Sequence, residues 1–268
     1  MENLNLQLLK CAWTGCRFKT VFSGCAQTPN HTGQAWGMVK RRNRVAWRRF
    51  RRYVTTAFIS LLLASIALTL PWRWLAPPTT AFMLQGQFQQ QGTLHQQWVP
   101  MDEMSSALPI AVVASEDQKF PHHHGFDFQS LSRALQEDRQ RRRGASTITQ
   151  QLAKNLYLWP GRSLFRKALE AYFTVLIEFT WPKRRVLEVY LNVVEFGPKV
   201  YGVDAASRLF FGKPPGRITS REAAILAAVL PNPKRMSARH PSEYVQKRAS
   251  EIEAAVIALG GPGYLDQL

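Results

Sequence analysis

Seventeen consecutive residues, Val54 to Leu70, carry no charge and are mostly apolar, and they follow directly on an arginine-rich run. A stretch like this must be covered either by the rest of the protein or by lipid. Crossing a bilayer core takes about 20 residues. The run reaches that length once Trp72, Trp74 and Leu75 are included, and tryptophan favours the membrane–water boundary. The eight basic residues between Lys40 and Arg52 argue against a buried core helix. They hold the N-terminal end in the cytoplasm and place the body outside the cytoplasmic (inner) membrane. Ser65-Ile66-Ala67 also fits the small-x-small pattern of a cleaved signal peptide, but apolar residues continue past it and favour a retained anchor. The chain accordingly reads as a basic cytoplasmic segment (1–52), a transmembrane helix (53–75), a stalk (76–107) and a folded body (108–268).

The formal charge of +17 fits either nucleic acid or a membrane surface as partner. Its position decides. Residues 1–53 hold 11 Lys and Arg against the single acid Glu2, so +10 of the +17 flanks the apolar run. The body offers no nucleic-acid motif, and nucleic acid is not expected as a partner. Cys11, Cys16 and Cys25 all precede the span, so the body's fold cannot rest on disulfides. Their spacing matches no zinc signature. Residues 1–37 show no periodicity, while Met38 opens an ordinary start, Met-Val-Lys-Arg-Arg. The expectation is that the first 37 residues have no structural role.

Pro71, Pro77 and Pro78 end the span, and the glutamine-rich stretch Gln85–Gln97 reads as loop or edge structure. Helical patterns begin at Leu108. Ala145–Leu158 has Ile148, Leu152 and Leu156 at four-residue steps. Leu164–Phe179 is apolar on nearly every side, which predicts a buried central helix. Arg184–Val194 carries Leu187, Tyr190, Leu191 and Val194 on one stripe. Thr219 to Glu222 spells a capping box ahead of Ala223–Leu230, which Pro231 and Pro233 stop, and Ser242–Leu259 is the last helix. The fold class is mainly α.

Four segments carry candidate chemistry. Glu116 emerges from a small apolar helix face, Ala111 to Ala114, where partial desolvation raises a carboxyl toward the range useful to a general base. Glu170 sits within the most apolar helix, with Arg166 one turn before it. That spacing fits an internal ion pair as well as a catalytic carboxylate. Thr147, Gln151 and Lys154 share one helical face, and Gly144 just before that helix permits an anion to approach its amides. Such a face suits a sugar and a phosphate together. His122, His123 and His124 are adjacent, and neighbours in a loop seldom converge on one ion, so no metal site is expected. Arg139, Arg141, Arg142 and Arg143 form a basic loop suited to lipid headgroups or pyrophosphate.

Taken in order, these segments resemble the motifs of family 51 glycosyltransferases, which make peptidoglycan glycan strands. The resemblance spans about Leu108 to Pro233 and rests on Gly144-x-Ser-Thr-Ile-Thr-Gln-Gln-x-x-Lys154-Asn155 and on Glu116-Asp117 with Phe120, His123, Gly125 and Asp127. Arg166-Lys167-x-x-Glu170, Glu188-x-Tyr190-Leu191-Asn192 and the closing Leu230-Pro231-Asn232-Pro233 complete it. It implies a lysozyme-like helical head with a smaller membrane-proximal jaw drawn from residues between Asp127 and Gly144. It further implies that Glu116 is the general base and that Glu170 is the second carboxylate, assisting at the leaving-group side or through a divalent cation. Lys154, Arg162 and Arg166, with Lys167 beside them, would hold pyrophosphate. Ser146, Thr147, Gln151 and Asn155 would line the sugar and phosphate sites, and Asp117, Phe120 and His123 would shape the wall beside the base. The implied substrates are lipid II and the growing lipid-linked glycan. A divalent cation, Mg or Mn, assists with pyrophosphate without being tightly held, and membrane lipids and cell-division or penicillin-binding proteins are the expected partners.

Only about 35 residues follow Pro233, with no Lys-Thr-Gly or Ser-x-x-Lys, so a monofunctional enzyme is expected. Two rivals remain open at this level. Paired carboxylates also serve glycan-cleaving enzymes, although the cluster of cations favours a pyrophosphate leaving group. A non-catalytic precursor-binding scaffold would have no use for Glu116 and Glu170.

Overall fold

A computed structural model describes residues 31–89, 93–136, 146–161 and 163–268. The expectations for residues 1–30 with their three cysteines, and for Arg139–Arg143, Gly144, Ala145 and Arg162, lie outside the described residues. Contacts divide the chain into residues 1–59 and residues 60–268. Helix α1, His31–Thr69, contains most of a stretch, Trp47–Arg73, that is long and apolar enough to cross a membrane. At 1.5 Å per residue its 27 residues span about 40 Å.

The second unit holds α2 (Ala81–Gln89), α3 (Ala107–Glu116), α4 (Phe128–Gln136), α5 (Ile148–Tyr157), α6 (Leu164–Thr180) and α7 (Lys183–Val193). Then come the antiparallel strands β1 (Glu195–Gly197) and β2 (Val200–Tyr201), followed by α8 (Gly202–Phe211), α9 (Ser220–Val229) and α10 (Glu243–Ala258). Helices dominate, as the sequence predicts. The caps follow its chemistry: Thr219 and Glu222 form a capping box at α9, Thr147 and Gln150 form another at α5, and Ser242 caps α10.

The centre is built from α3, α7 and α9. Residues Leu108–Ala114 of α3 and Ala223–Val229 of α9 are all buried, and so are seven residues of α7. Alanines at 111, 114, 223, 224, 227 and 228 let α3 and α9 approach closely, and the Ser115 hydroxyl reaches the Ala227 carbonyl at 3.5 Å.

Two expectations are corrected. Helix α6 has the expected length but is not a buried central helix. Glu170, Thr174, Leu176 and Ile177 are buried, whereas Leu164, Phe165, Tyr172, Val175 and Phe179 are exposed. A side chain's apolarity shows that it avoids water, not which neighbour covers it. The Gln85–Gln97 stretch is helix as far as Gln89, because Met83 is buried and anchors α2. Further on, His95 pairs with β2: its N–H donates to Lys199 O and its carbonyl accepts from Tyr201 N, both at 3.0 Å.

The end of α1 is tied to α6 and α7 through carbonyls that a helix terminus leaves unpaired. Trp181 Nε1 donates to Thr69 O (3.2 Å), Arg185 to Trp72 O and Leu75 O (3.0 and 2.6 Å), and Arg73 to Thr180 O (2.5 Å). Ser65 and Tyr172 share a hydroxyl–hydroxyl contact of 2.5 Å. Farther along, the buried Asn192 side chain holds the extended segment before α3. Its oxygen accepts from Val99 N and its amide donates to Val99 O, each at 2.8 Å, with Glu188 O as a further acceptor. Gly202 (φ +80°) passes so close to this helix that a Cβ would lie 2.6 Å from Asn192 O.

Replacing Asn192 strands the buried Val99 amide and carbonyl, at roughly 1–3 kcal/mol for each polar group left unpaired. Asn192→Ala in detergent should therefore melt several degrees below wild type. An unchanged melting temperature would remove this clamp from the account.

Candidate active site

Helix α3 ends at Glu116, and the turn behind it is fixed by Asp117. That buried carboxylate accepts from Ile148 N at 3.1 Å and meets His123 Nε2 at 2.9 Å through both oxygens. The first turn of α5 is thereby pinned to the end of α3. Thr147 tightens the joint by donating to Gly125 O at 2.7 Å. Gly125 takes φ +83°, and a Cβ there would collide with Thr174 and Glu178 at 2.8 and 2.9 Å. Glu178 Oε1 accepts from Thr149 Oγ1 (2.5 Å) and Lys183 Nζ (2.8 Å), and that ammonium lies 4.5 Å from the centre of the sealed Phe120 ring.

With α5 in this register, Gln151 faces the end of α3. Its Nε2 donates to Glu116 Oε2 at 2.7 Å, and its Oε1 accepts from Tyr190 OH at 2.9 Å. An ionised carboxylate can only accept, so the amide turns its NH2 group to Glu116 and leaves its oxygen for the Tyr190 hydroxyl. Burial raises the Glu116 pKa above the usual 4.5, while Gln151, Arg248, Ser115 and Lys154 each draw it down. Burial also lifts the Tyr190 phenol well above 10, helped by the nearby Glu116 and Asp117 charges.

One turn beyond Gln151, Lys154 stands in the fields of both carboxylates. Burial lowers its pKa; the charge of Glu170, and less strongly that of Glu116, works against this, while Arg166 and Lys167 add to it. Its Nζ lies 5.5 Å from the Phe82 ring centre of α2. Glu170 is 3% exposed, and each of its oxygens is taken by a cation: Arg166 Nη1 at 2.9 Å, and Lys167 Nζ. The ion pair inferred from the i, i+4 spacing is present, and Lys167 adds a second cation to it.

The structure thus gathers Glu116, Gln151, Lys154, Glu170, Arg166 and Lys167 into one electrostatically connected set. Ser146 lies just before α5 and is partly exposed. Asp117, Phe120, Thr147 and Asn155 are buried. His123 binds Asp117, His122 packs edge-on to Tyr264, and His124 is exposed, so the three histidines diverge. Among the described residues no cluster of three His, Cys, Asp or Glu could hold a metal. A cavity of about 350 Å³ lined by Trp98, Glu103, Asp204, Arg208 and Arg217 shares no residue with this set.

Glu178 and Arg248 are residues that sequence reading passes over, and Tyr190 is one that it names only as part of a motif, with no role. A buried tyrosine needs a partner for its hydroxyl, and that was the available signal for Tyr190. Nothing local marks Arg248, which comes near Glu116 only because α10 packs on α3.

A family model described as Transglycosylase matches residues 84–256. The chain is 49% identical over 226 residues to a biosynthetic peptidoglycan transglycosylase of Xanthomonas campestris pv. campestris (strain B100), covering 81% of this chain and 92% of the relative. A protein of the same name from Pseudomonas putida is 47% identical over 224 residues, 81% and 95% of the two chains. Another, from Ectopseudomonas mendocina, is 49% identical over 215 residues, 78% and 89%.

A carboxyl whose folded pKa is raised stabilises the fold only while protonated. For Glu116 that contribution is fully present below the unfolded value of 4.5 and disappears as pH climbs through the folded value. Glu116→Gln should accordingly raise the melting temperature at neutral pH and change it little below about pH 4.5. A variant less stable than wild type at pH 7.5 would contradict the burial described here.

Proposed function

The chain belongs to the transglycosylase family, and we propose that within it Glu116 is the general base of glycan-strand polymerisation. The family and its relatives make this protein a peptidoglycan glycosyltransferase acting on lipid II and the growing glycan chain. The residue roles that follow are our reading, and one observation carries them: the Glu116 carboxylate is held by a neutral amide, whereas Glu170 is paired with Arg166 and Lys167, and Lys154 feels the charge of both acids.

A sugar hydroxyl is a weak nucleophile and needs a base. Glu116 removes the proton from the acceptor's 4-hydroxyl as that oxygen attacks the anomeric carbon of the growing chain. Attack from the face opposite the leaving group inverts that carbon and expels undecaprenyl pyrophosphate. Gln151 keeps the carboxylate oriented while leaving its other oxygen available. The departing diphosphate needs its charge neutralised more than it needs a proton, and Lys154, Arg166 and Lys167 supply that charge. Glu170, with no oxygen uncommitted, spaces and orients these cations instead of receiving a proton. The same saturation leaves it poorly suited as a metal ligand, so a divalent cation fits here as a companion of the diphosphate and not as a protein-bound group, and no step runs through one.

The apolar stretch Trp47–Arg73 is the membrane anchor in this reading. The arginines before it hold the N-terminus in the cytoplasm, and the catalytic unit faces the periplasm beside the bilayer that retains the prenyl chain. Division or penicillin-binding proteins belong to the expected surroundings, because strands must be cross-linked after synthesis.

The test is to incubate detergent-solubilised protein with labelled lipid-linked disaccharide and to separate the glycan chains on a gel. Wild type should give long strands. Glu116→Gln should lose roughly two to four orders of magnitude in rate, the usual contribution of a positioned base. Glu170→Gln should also lose rate, through disordered cations. Undiminished polymerisation by Glu116→Gln, or soluble fragments released from purified wall with no polymer formed, would sink the assignment.

A further inference from the structure

The apolar half of α6 is not used by the chemistry above and is not covered by any described element. Leu164, Phe165, Ala168, Tyr172, Val175 and Phe179 fall, at 100° per residue, within an arc of about 100°. They form one stripe about 22 Å long. Leu164 is 91% exposed and Phe179 89%, which is extreme for large apolar side chains. No charge interrupts the stripe: Arg166, Lys167, Glu170 and Glu178 all point outside that arc. The charges of the helix and its apolar side chains are therefore segregated, as on a helix lying at a lipid boundary.

The stripe's neighbour indicates what covers it. Tyr172, on the stripe, touches Ser65 of α1, and the ends of the two helices are fastened where Trp181 donates to Thr69 O and Arg73 to Thr180 O. Ser65 meets Tyr172 midway along α6, and farther on Thr69 and Arg73 both meet its C-terminal end at Trp181 and Thr180, so the two helices advance in the same general direction. Leu61 and Leu68, four residues before and three after Ser65 on α1, are exposed as well.

We propose that the outward face of α6 is a second membrane contact, immersed in the acyl-chain boundary of the bilayer that takes α1. This rests on the reading of α1 as a membrane anchor. It extends the membrane-proximal surface beyond the segment 127–144 expected from sequence to the helix that carries the second carboxylate. Glu170, Arg166 and Lys167 then sit across one helix diameter, about 10 Å, from hydrocarbon. A lipid-linked diphosphate can reach these cations while its prenyl chain stays in the membrane.

The test uses the full chain with Cys11, Cys16 and Cys25 replaced by serine, reconstituted in phosphatidylethanolamine–phosphatidylglycerol vesicles. Single nitroxide labels go on Ala168→Cys and Val175→Cys in the stripe, Leu61→Cys in the anchor and the exposed Ala254→Cys in α10. Collisions with oxygen, which concentrates in hydrocarbon, are compared with collisions with a water-soluble nickel chelate. The proposal expects oxygen to dominate at 168 and 175 as it does at 61, at a ratio several-fold above that at 254. Oxygen dominating at 61 while 168 and 175 behave like 254 would overturn the proposal and leave the anchor standing. Chelate dominating at 61 as well would overturn both. Spin–spin broadening at 168 or 175, with protection from both reagents, would mean that a second copy covers the face, and this too would overturn it.

Discussion

The buried carboxylate of Asp117 sets the geometry on which the rest of the site depends. Asp117 sits immediately after the proposed base and binds the first turn of α5 through Ile148 N and the following loop through His123. Buried charge is costly unless its oxygens are satisfied, and these partners satisfy it. Because Glu116 and Asp117 are adjacent in the chain, fixing one fixes the other. The register of α5 against α3 follows, and with it the positions of Gln151 and Lys154. Tyr190, Gly125, Thr147 and the Glu178–Lys183 pair all brace this one joint.

From that joint the two acids acquire different environments. Glu116 is desolvated and held by a neutral amide, so its proton affinity rises. Glu170 is the more deeply buried of the two and is met by two cations from its own helix. The difference comes from local sequence: Arg166 and Lys167 precede Glu170 by four and three residues, the spacings that bring side chains together on a helix, whereas small apolar residues precede Glu116. Lys154 senses the charge of both acids. The apolar helix α1 enters the same scheme mechanically, because its end is bonded to α6, the helix that carries Glu170.

What was legible in the sequence was whatever is encoded locally. The capping boxes, the Arg166–Glu170 spacing, the desolvated end of α3 and the shared face of Gln151 and Lys154 all follow from neighbours within a few residues. What needed the structure was long-range. The Val99–Asn192 clamp joins residues 93 apart, and the approach of Arg248 to Glu116 depends on the packing of α10 against α3. The glutamines of α2 hid a helix whose one decisive residue is the buried Met83. Helix α6 shows the limit most clearly: its composition called for burial on all sides, yet a helix apolar all round is equally content to face something that is not protein. The burial of the motif residues Phe120, Thr147 and Asn155 was likewise not legible, since it depends on neighbours distant in the chain.

The central claim is that Asp117 acts by keeping Gln151 against Glu116, and a double-mutant cycle on polymerisation tests it most directly. kcat/KM would be measured for wild type, Asp117→Asn, Gln151→Leu and the double variant. If the account holds, Gln151→Leu costs much less once Asp117 is already replaced, because the contact it removes is already broken. Independent, multiplying losses would show that the two residues serve separate ends, and the joint described here would not be what places the base.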